Sequence, residues 1–168
     1  MNKREELKRV VYFIAIDPGA KGAVAILNEK SEVILLEDIP YVKSEKVVDL
    51  FDFSEMLKAY IQAEHHCILE KCQYTPAIKG SGAFTFGKTI GYTEAFLIQS
   101  GISHELVKPQ LWKKEYSLLG KDKTASLEVA RRLYLNVASK LLKTKDGRAE
   151  ALLIAEYCRR KNGNLLQK

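Results

Sequence analysis

The chain has 168 residues, 46% of them hydrophobic, a length that suits one domain with a core of its own. No apolar run reaches the roughly 18 residues a bilayer span needs, and the charged start MNKREELKRV has no apolar leader stretch, so a cytoplasmic or equivalent soluble compartment is expected. The 27 basic and 21 acidic residues leave a formal charge of +6, which favours a polyanionic partner, and the three cysteines have no close spacing of the zinc-site kind.

Val10–Ile16 (VVYFIAI) is a continuous apolar run rich in β-formers, the pattern of a strand buried on both faces. Asp17-Pro18-Gly19 ends it in a turn. Gly22–Leu27 and Glu32–Leu36 follow as strands two and three, and the short turns predict an antiparallel meander. Near-helical spacing of Val47, Leu50, Phe51, Met56, Leu57 and Ile61 predicts a helix over Ser44–Ala63. Cys67–Leu69 is a short buried strand ending at Glu70, and Tyr74–Phe84 reads as a loop. A helix is expected from Thr85 to Gln99, with Gly101 as its stop, and a strand over His104–Val107. Pro109 opens a helical turn through Trp112 and Lys113, and Thr124–Tyr134 and Asp146–Arg160 read as helices. Three strands followed by alternating helix and strand predict an α/β fold with a mixed five-stranded sheet flanked by helices.

Four carboxylates then fall in notable places. Asp17 and Glu70 each close a strand, and parallel neighbours would bring both to the sheet edge where α/β proteins bind ligands. Asp146 and Glu150 are four apart on one helix face, continuing an apolar stripe of Leu153, Ile154 and Tyr157. Two carboxylates about 4 Å apart repel by roughly 4 kcal/mol at an effective dielectric near 20. Converging acids therefore take up protons or a cation, and oxygen ligands of this kind suit Mg²⁺ or Mn²⁺. Paired metals can drive phosphodiester hydrolysis. Taken singly, Asp17 equally serves as a turn residue, Glu70 as a solvated strand end, Asp146 as an N-cap, and Glu150 as a charge near a helix N-terminus.

Four ordered stretches, IAIDPGAKGAVAIL from Ile14, ILEKCQ from Ile68, VKPQLWKK from Val107 and DGRAEALLIAEY from Asp146, resemble the RuvC-type Holliday-junction resolvases of the RNase H-like superfamily. The resemblance spans about residues 11–160 and is nearest the phage, bacterial and plant-chloroplast branches. It implies a single RNase H-like nuclease domain over 1–168 that resolves four-way DNA junctions by paired nicks. It implies two Mg²⁺ ions, with Mn²⁺ able to substitute, held by Asp17, Glu70, Asp146 and Glu150. The best-known bacterial members space the last two acids three apart, and both spacings keep one helix face. Lys113 and Lys123 match lysines near the scissile phosphate, although each can equally be a solvated surface residue. In and after the loop that follows Glu70, Tyr74 would stack on an opened base and Lys79 and Lys88 would contact phosphates, while Phe84 and Phe86 read as packing residues. A homodimer is implied, with Gly87, Gly91 and Ala95 as its candidate interface; packing of those residues on the chain's own sheet is the alternative.

Three other readings stay open. The DPGAKG stretch resembles a phosphate loop of sugar kinases and actin-like ATPases, but those carry two such domains, so no nucleotide cofactor is expected. The others are a junction-binding module without catalysis and an RNase H-like nuclease acting on RNA or an RNA–DNA hybrid.

Overall fold

The apolar run after Val10 forms the middle of a sheet, because helices cover both of its faces. The computed structural model describes residues 10–72 and 80–163, with every side chain there except that of Asp146. Strands β1 (Val11–Asp17), β2 (Ala23–Asn28) and β3 (Val33–Asp38) make the expected antiparallel meander. A small hairpin of β4 (Tyr41–Val42) and β5 (Val47–Val48) precedes helix α1 (Leu50–Ile61). Then come β6 (Glu64–Glu70), α2 (Ser81–Gln99), β7 (His104–Val107), α3 (Pro109–Glu115), α4 (Lys123–Leu133) and α5 (Asp146–Gly163). The five-stranded sheet has the order β3-β2-β1-β6-β7, with β6 parallel to β1 and β7 parallel to β6. This is the mixed sheet expected from the element pattern.

Side chains alternate across β1. Phe13 and Ala15 face a core shared with Leu152, Leu153 and Ala155 of α5, while Ile14 and Ile16 face Phe53 and Leu57 of α1 and Phe96 and Leu97 of α2. Helix α5 is enclosed rather than amphipathic. From Gly147 to Cys158 every residue but the half-buried Tyr157 is buried, because β1 and β2 pack on one side and α3 and α4 on the other. Among the described residues, no helix is long and apolar enough to cross a membrane.

Several boundaries differ from expectation. Helix α1 starts at Leu50 rather than Ser44, since Asp49 caps it by accepting the amides of Phe51 and Asp52, both at 3.1 Å. The β-branched pair Val47-Val48 pairs as a strand instead. The buried face of α1 is Phe53 and Leu57, and Phe51 is exposed. Strand β6 extends back to Glu64, α2 begins at Ser81, and α5 runs on to Gly163.

Candidate active site

Asp17 is the last residue of β1, and Pro18 cannot donate to the ladder beyond it. The turn that follows is tight: Gly22 N–H donates to the Gly19 carbonyl at 2.9 Å, and a Cβ on Gly22 would stand 2.2 Å from the Asp17 carbonyl oxygen. Only glycine fits there. In the parallel register Ile16 lies opposite Leu69, so Asp17 and Glu70 follow side by side at the same sheet edge. Both are buried, with 9% and 8% of their surface exposed.

Helix α5 closes on this edge through Gly147. A Cβ on that residue would stand 2.2 Å from the Lys21 carbonyl oxygen and 3.2 Å from Asp17 Oδ2, so the first turn of α5 lies directly against the β1–β2 turn. One turn on, Glu150 is 5% exposed. The start of α5 is also tied to β3: Arg148 donates to Asp38 Oδ1 and Glu37 Oε2, and Lys145 pairs with Asp38. Burial works to raise the Asp38 carboxyl, and its bonds to Arg148 and Lys145 more than reverse this, leaving it lowered.

The buried charges are met from α3 and α4. Lys113 Nζ lies 3.2 Å from Glu150 Oε1, and Lys123 Nζ lies 3.8 Å from Glu150 Oε2. Trp112, fully buried, donates its indole N–H to Glu70 Oε1 at 2.8 Å. Burial is the main cause raising the Glu70 carboxyl above its ordinary value. The charge of Glu150 raises it further, while the Trp112 bond and the charges of Lys113 and Lys123 oppose both. Cys72 stands beside the same acids. Burial, then the charges of Glu70 and Asp17, push its thiol up to about 12, so it remains protonated at neutral pH.

Glu150 is thus close enough for its charge to be felt at Glu70, and Asp17 borders both β6 and the first turn of α5. Glu150 Oε1 is buried without a directed hydrogen bond; Lys113 approaches it as an ion, off the hydrogen-bonding direction. Such an oxygen, in an all-carboxylate donor set, fits a hard divalent cation. Among the described residues no group of three His, Cys, Asp or Glu side chains stands ready to hold a metal ion, and the side chain of Asp146 lies outside them.

The remaining expected residues are distributed differently. Tyr74 and Lys79 lie outside the described residues. Lys88 donates to the Glu45 carbonyl at 3.3 Å, on the α2 face of the small hairpin. Phe86 is half-buried, but Phe84 is exposed, contrary to its reading as a packing residue: it lies near the start of α2 on the side away from the sheet. Gly87, Gly91 and Ala95 are exposed too, and nothing lies within 4 Å of a Cβ built on either glycine, so they do not serve packing on the chain's own sheet. Trp112, Gly147, Cys72 and Arg148 are site neighbours that periodicity does not reveal. The one signal for Arg148 is opposite charge, Glu37-Asp38 at a strand end against Lys145 and Arg148 around a helix start.

No family model matches the chain, and no curated protein matches it. Solved structures similar in fold include two of RuvC. One is Thermus thermophilus RuvC in complex with Holliday junction substrate, 16% identical, with a TM-score of 0.53 over 92% of this chain and 96% of that one. The other is a second Thermus thermophilus RuvC structure, also 16% identical, with a TM-score of 0.51 over 90% of this chain and 96% of that one. The mixed five-stranded sheet flanked by helices is the arrangement shared with these RNase H-like structures.

Proposed function

We propose that this chain is a metal-dependent endodeoxyribonuclease that resolves four-way DNA junctions by paired symmetric nicks. The observation that carries the reading is that Asp17 and Glu70 end neighbouring parallel strands at one sheet edge, with the start of α5 packed against Asp17, the charge of Glu150 felt at Glu70, and Lys113 and Lys123 beside Glu150. Its support from comparison is a fold shared with a RuvC bound to a Holliday junction.

Asp17, Glu70, Asp146 and Glu150 would hold two Mg²⁺ ions, or Mn²⁺ in their place. Bound there, the metal supplies polarisation of an attacking water and neutralisation of charge on the departing oxygen. The chain's own residues do the rest. The buried acids gather negative charge where water is largely excluded, which creates the demand for cations. Lys113 and Lys123 set positive charge beside the acids, so that a phosphodiester anion is attracted to an otherwise acidic pocket. Water adds to phosphorus, the bond to the 3′ oxygen breaks, and a 5′-phosphate and a 3′-hydroxyl result.

Paired nicks need two sites. A homodimer through the outer face of α2, where Gly87, Gly91 and Ala95 lie with the exposed Phe84 and Ile98, would supply them about a two-fold axis. Tyr74 would stack on an opened base, and Lys79 and, from α2, Lys88 would contact phosphates.

The test is cleavage of four-way DNA, duplex DNA and an RNA–DNA hybrid in Mg²⁺ by the wild-type chain and by Asp17→Asn and Asp146→Asn. The reading expects junction cleavage that either substitution abolishes. Wild-type rates from either variant would remove the metal-site assignment. Preference for the hybrid would make the chain an RNA-processing nuclease, and tight junction binding without cutting would make it a binding module.

A further inference from the structure

We propose that Trp112 is a positioning residue for Glu70: its indole N–H holds one carboxylate oxygen so that the other is presented to a divalent cation at the strand ends. The inference rests on the reading of Glu70 as a metal-holding acid.

Helix α3 is short, and Trp112 is its one buried residue. The indole lies in the same core cluster as Ile68, Val107, Leu118 and Leu153, with none of its surface exposed. For filling space alone, a phenylalanine or leucine would serve. A buried indole N–H, however, must find an acceptor. Here the acceptor is a side-chain carboxylate oxygen, Glu70 Oε1, at 2.8 Å. A ring fixed by the core and bonded at that distance leaves the carboxylate little rotational freedom.

The next residue sharpens the assignment. Lys113 Nζ stands 3.2 Å from Glu150 Oε1 and 5.1 Å from the centre of the Trp112 ring. Consecutive residues of one helix therefore address two different acids, one with a cation and the other with a neutral donor. The difference matters chemically. Lys113 and Lys123 act on Glu70 through their charge alone, whereas an ammonium bonded directly to it would compete with a metal for its oxygens. An indole donates without carrying charge, has no acceptor of its own and cannot take the proton. It orients Glu70 and leaves its charge available to a cation.

Trp112 is the only tryptophan in the chain, so global replacement of tryptophan by β-(3-benzothienyl)alanine changes this position alone. That residue keeps the bicyclic shape and puts sulfur where the N–H was. Full-length protein carrying it, and a Trp112→Phe protein, would be compared with wild type in Mn²⁺ affinity by electron paramagnetic resonance, in kcat on a four-way junction, in metal-free junction affinity, and in melting temperature. The expected result for the benzothienyl protein is a melting temperature within a few degrees of wild type, unchanged junction affinity, and losses of about 10–100-fold in both Mn²⁺ affinity and kcat. Trp112→Phe should lose Mn²⁺ affinity in the same way even if it melts earlier. Wild-type Mn²⁺ affinity in the folded benzothienyl protein would reduce Trp112 to a packing residue and overturn the inference, as would a wild-type chain that binds no Mn²⁺. A wild-type chain that binds Mn²⁺ but cuts no junction would sink the nuclease reading alone, and the Mn²⁺ affinities would still decide the role of Trp112.

Discussion

Gly147 and Lys21 approach so closely that the first turn of α5 has no room for any side chain at residue 147: a Cβ there would stand 2.2 Å from the Lys21 carbonyl oxygen. That contact sets the distance between the helix carrying Asp146 and Glu150 and the strand ending in Asp17. The obstacle is backbone, which cannot rotate away.

Gly147→Ala is therefore expected to act against helix propensity. In a helix interior the change normally stabilises by up to about 1 kcal/mol. Here it should destabilise by roughly 1–3 kcal/mol, the range for overpacking a close-fitted site. Moving α5 outward should also lower cleavage by about 100-fold, since a shift of about 1 Å in an active site has that effect. Urea unfolding and junction cleavage check the two parts. A variant as stable as wild type would show that the turn yields instead.

The two lysines beside Glu150 should differ in what they contribute. The Lys113 side chain is 27% exposed and sits 3.2 Å from an acid whose side chain is 7% exposed; Lys123 is 60% exposed and stands at 3.8 Å. Lys113→Met should cost about 1–2 kcal/mol, less than a fully buried broken pair because water reaches its outer part. Lys123→Met should cost under about 0.5 kcal/mol. Chemical denaturation measures both. Mg²⁺ should narrow the gap for Lys113→Met by binding the folded acids. Equal losses from the two substitutions would mean that burial is not what distinguishes them.

The elements that position the candidate acids are legible in the sequence, for a definable reason. Strand β1 is apolar on both faces, so its end at Asp17 is marked by the turn residues Pro18 and Gly19. The four-residue spacing of Asp146 and Glu150 puts both on one face wherever the helix packs. What answers their charge is another matter. Lys113 and Lys123 reach Glu150 from helices 27 to 37 residues earlier in the chain, and no local period encodes that meeting. Nothing in the spacing around Trp112 points to Glu70, 42 residues earlier in the chain; the indole N–H bond makes that link. The helix expected from Ser44 failed because Val47, Leu50 and Phe51 fit a 3.6-residue period, while the Asp49 cap decides where α1 begins.

Glu156 gives the fold a dependence on acid. Its buried carboxylate accepts from Ser31 Oγ, Tyr134 Oη, Arg159 and Arg160, joining the β2–β3 turn and the end of α4 to α5. Burial works to raise the carboxyl, but the bonds from Arg159, Arg160, Tyr134 and Ser31 outweigh it and hold it at about 2, below the ordinary 4.5. A carboxyl lowered on folding stabilises the fold above its unfolded value and loses that stabilisation as pH falls toward the folded one. The contribution should be complete above about pH 5 and fade between roughly pH 4.5 and 2, on the order of 3 kcal/mol in all. Glu156→Gln should thus be less stable than wild type at pH 7, with the gap closing in acid. A gap that stays constant down to pH 3 in thermal unfolding would assign the loss to packing rather than to charge.

A substitution on the outer face of α2 tests the proposed dimer without disturbing the core. Nothing lies within 4 Å of a Cβ on Gly91, and the residue is exposed between Phe84 and Ile98 on the same side of the helix. Gly91→Glu replaces a poor helix former with a good one, so the protomer should gain about 0.5–1 kcal/mol. If that face joins two copies, the same change buries two like charges near the symmetry axis and should dissociate the dimer. Light scattering after size exclusion would read the mass, and cleavage products would read the consequence, single nicks replacing paired ones. A variant with wild-type mass and paired nicks would place the interface on another face. One that dissociates while melting higher would mean that the glycine is kept for the partner rather than for the fold.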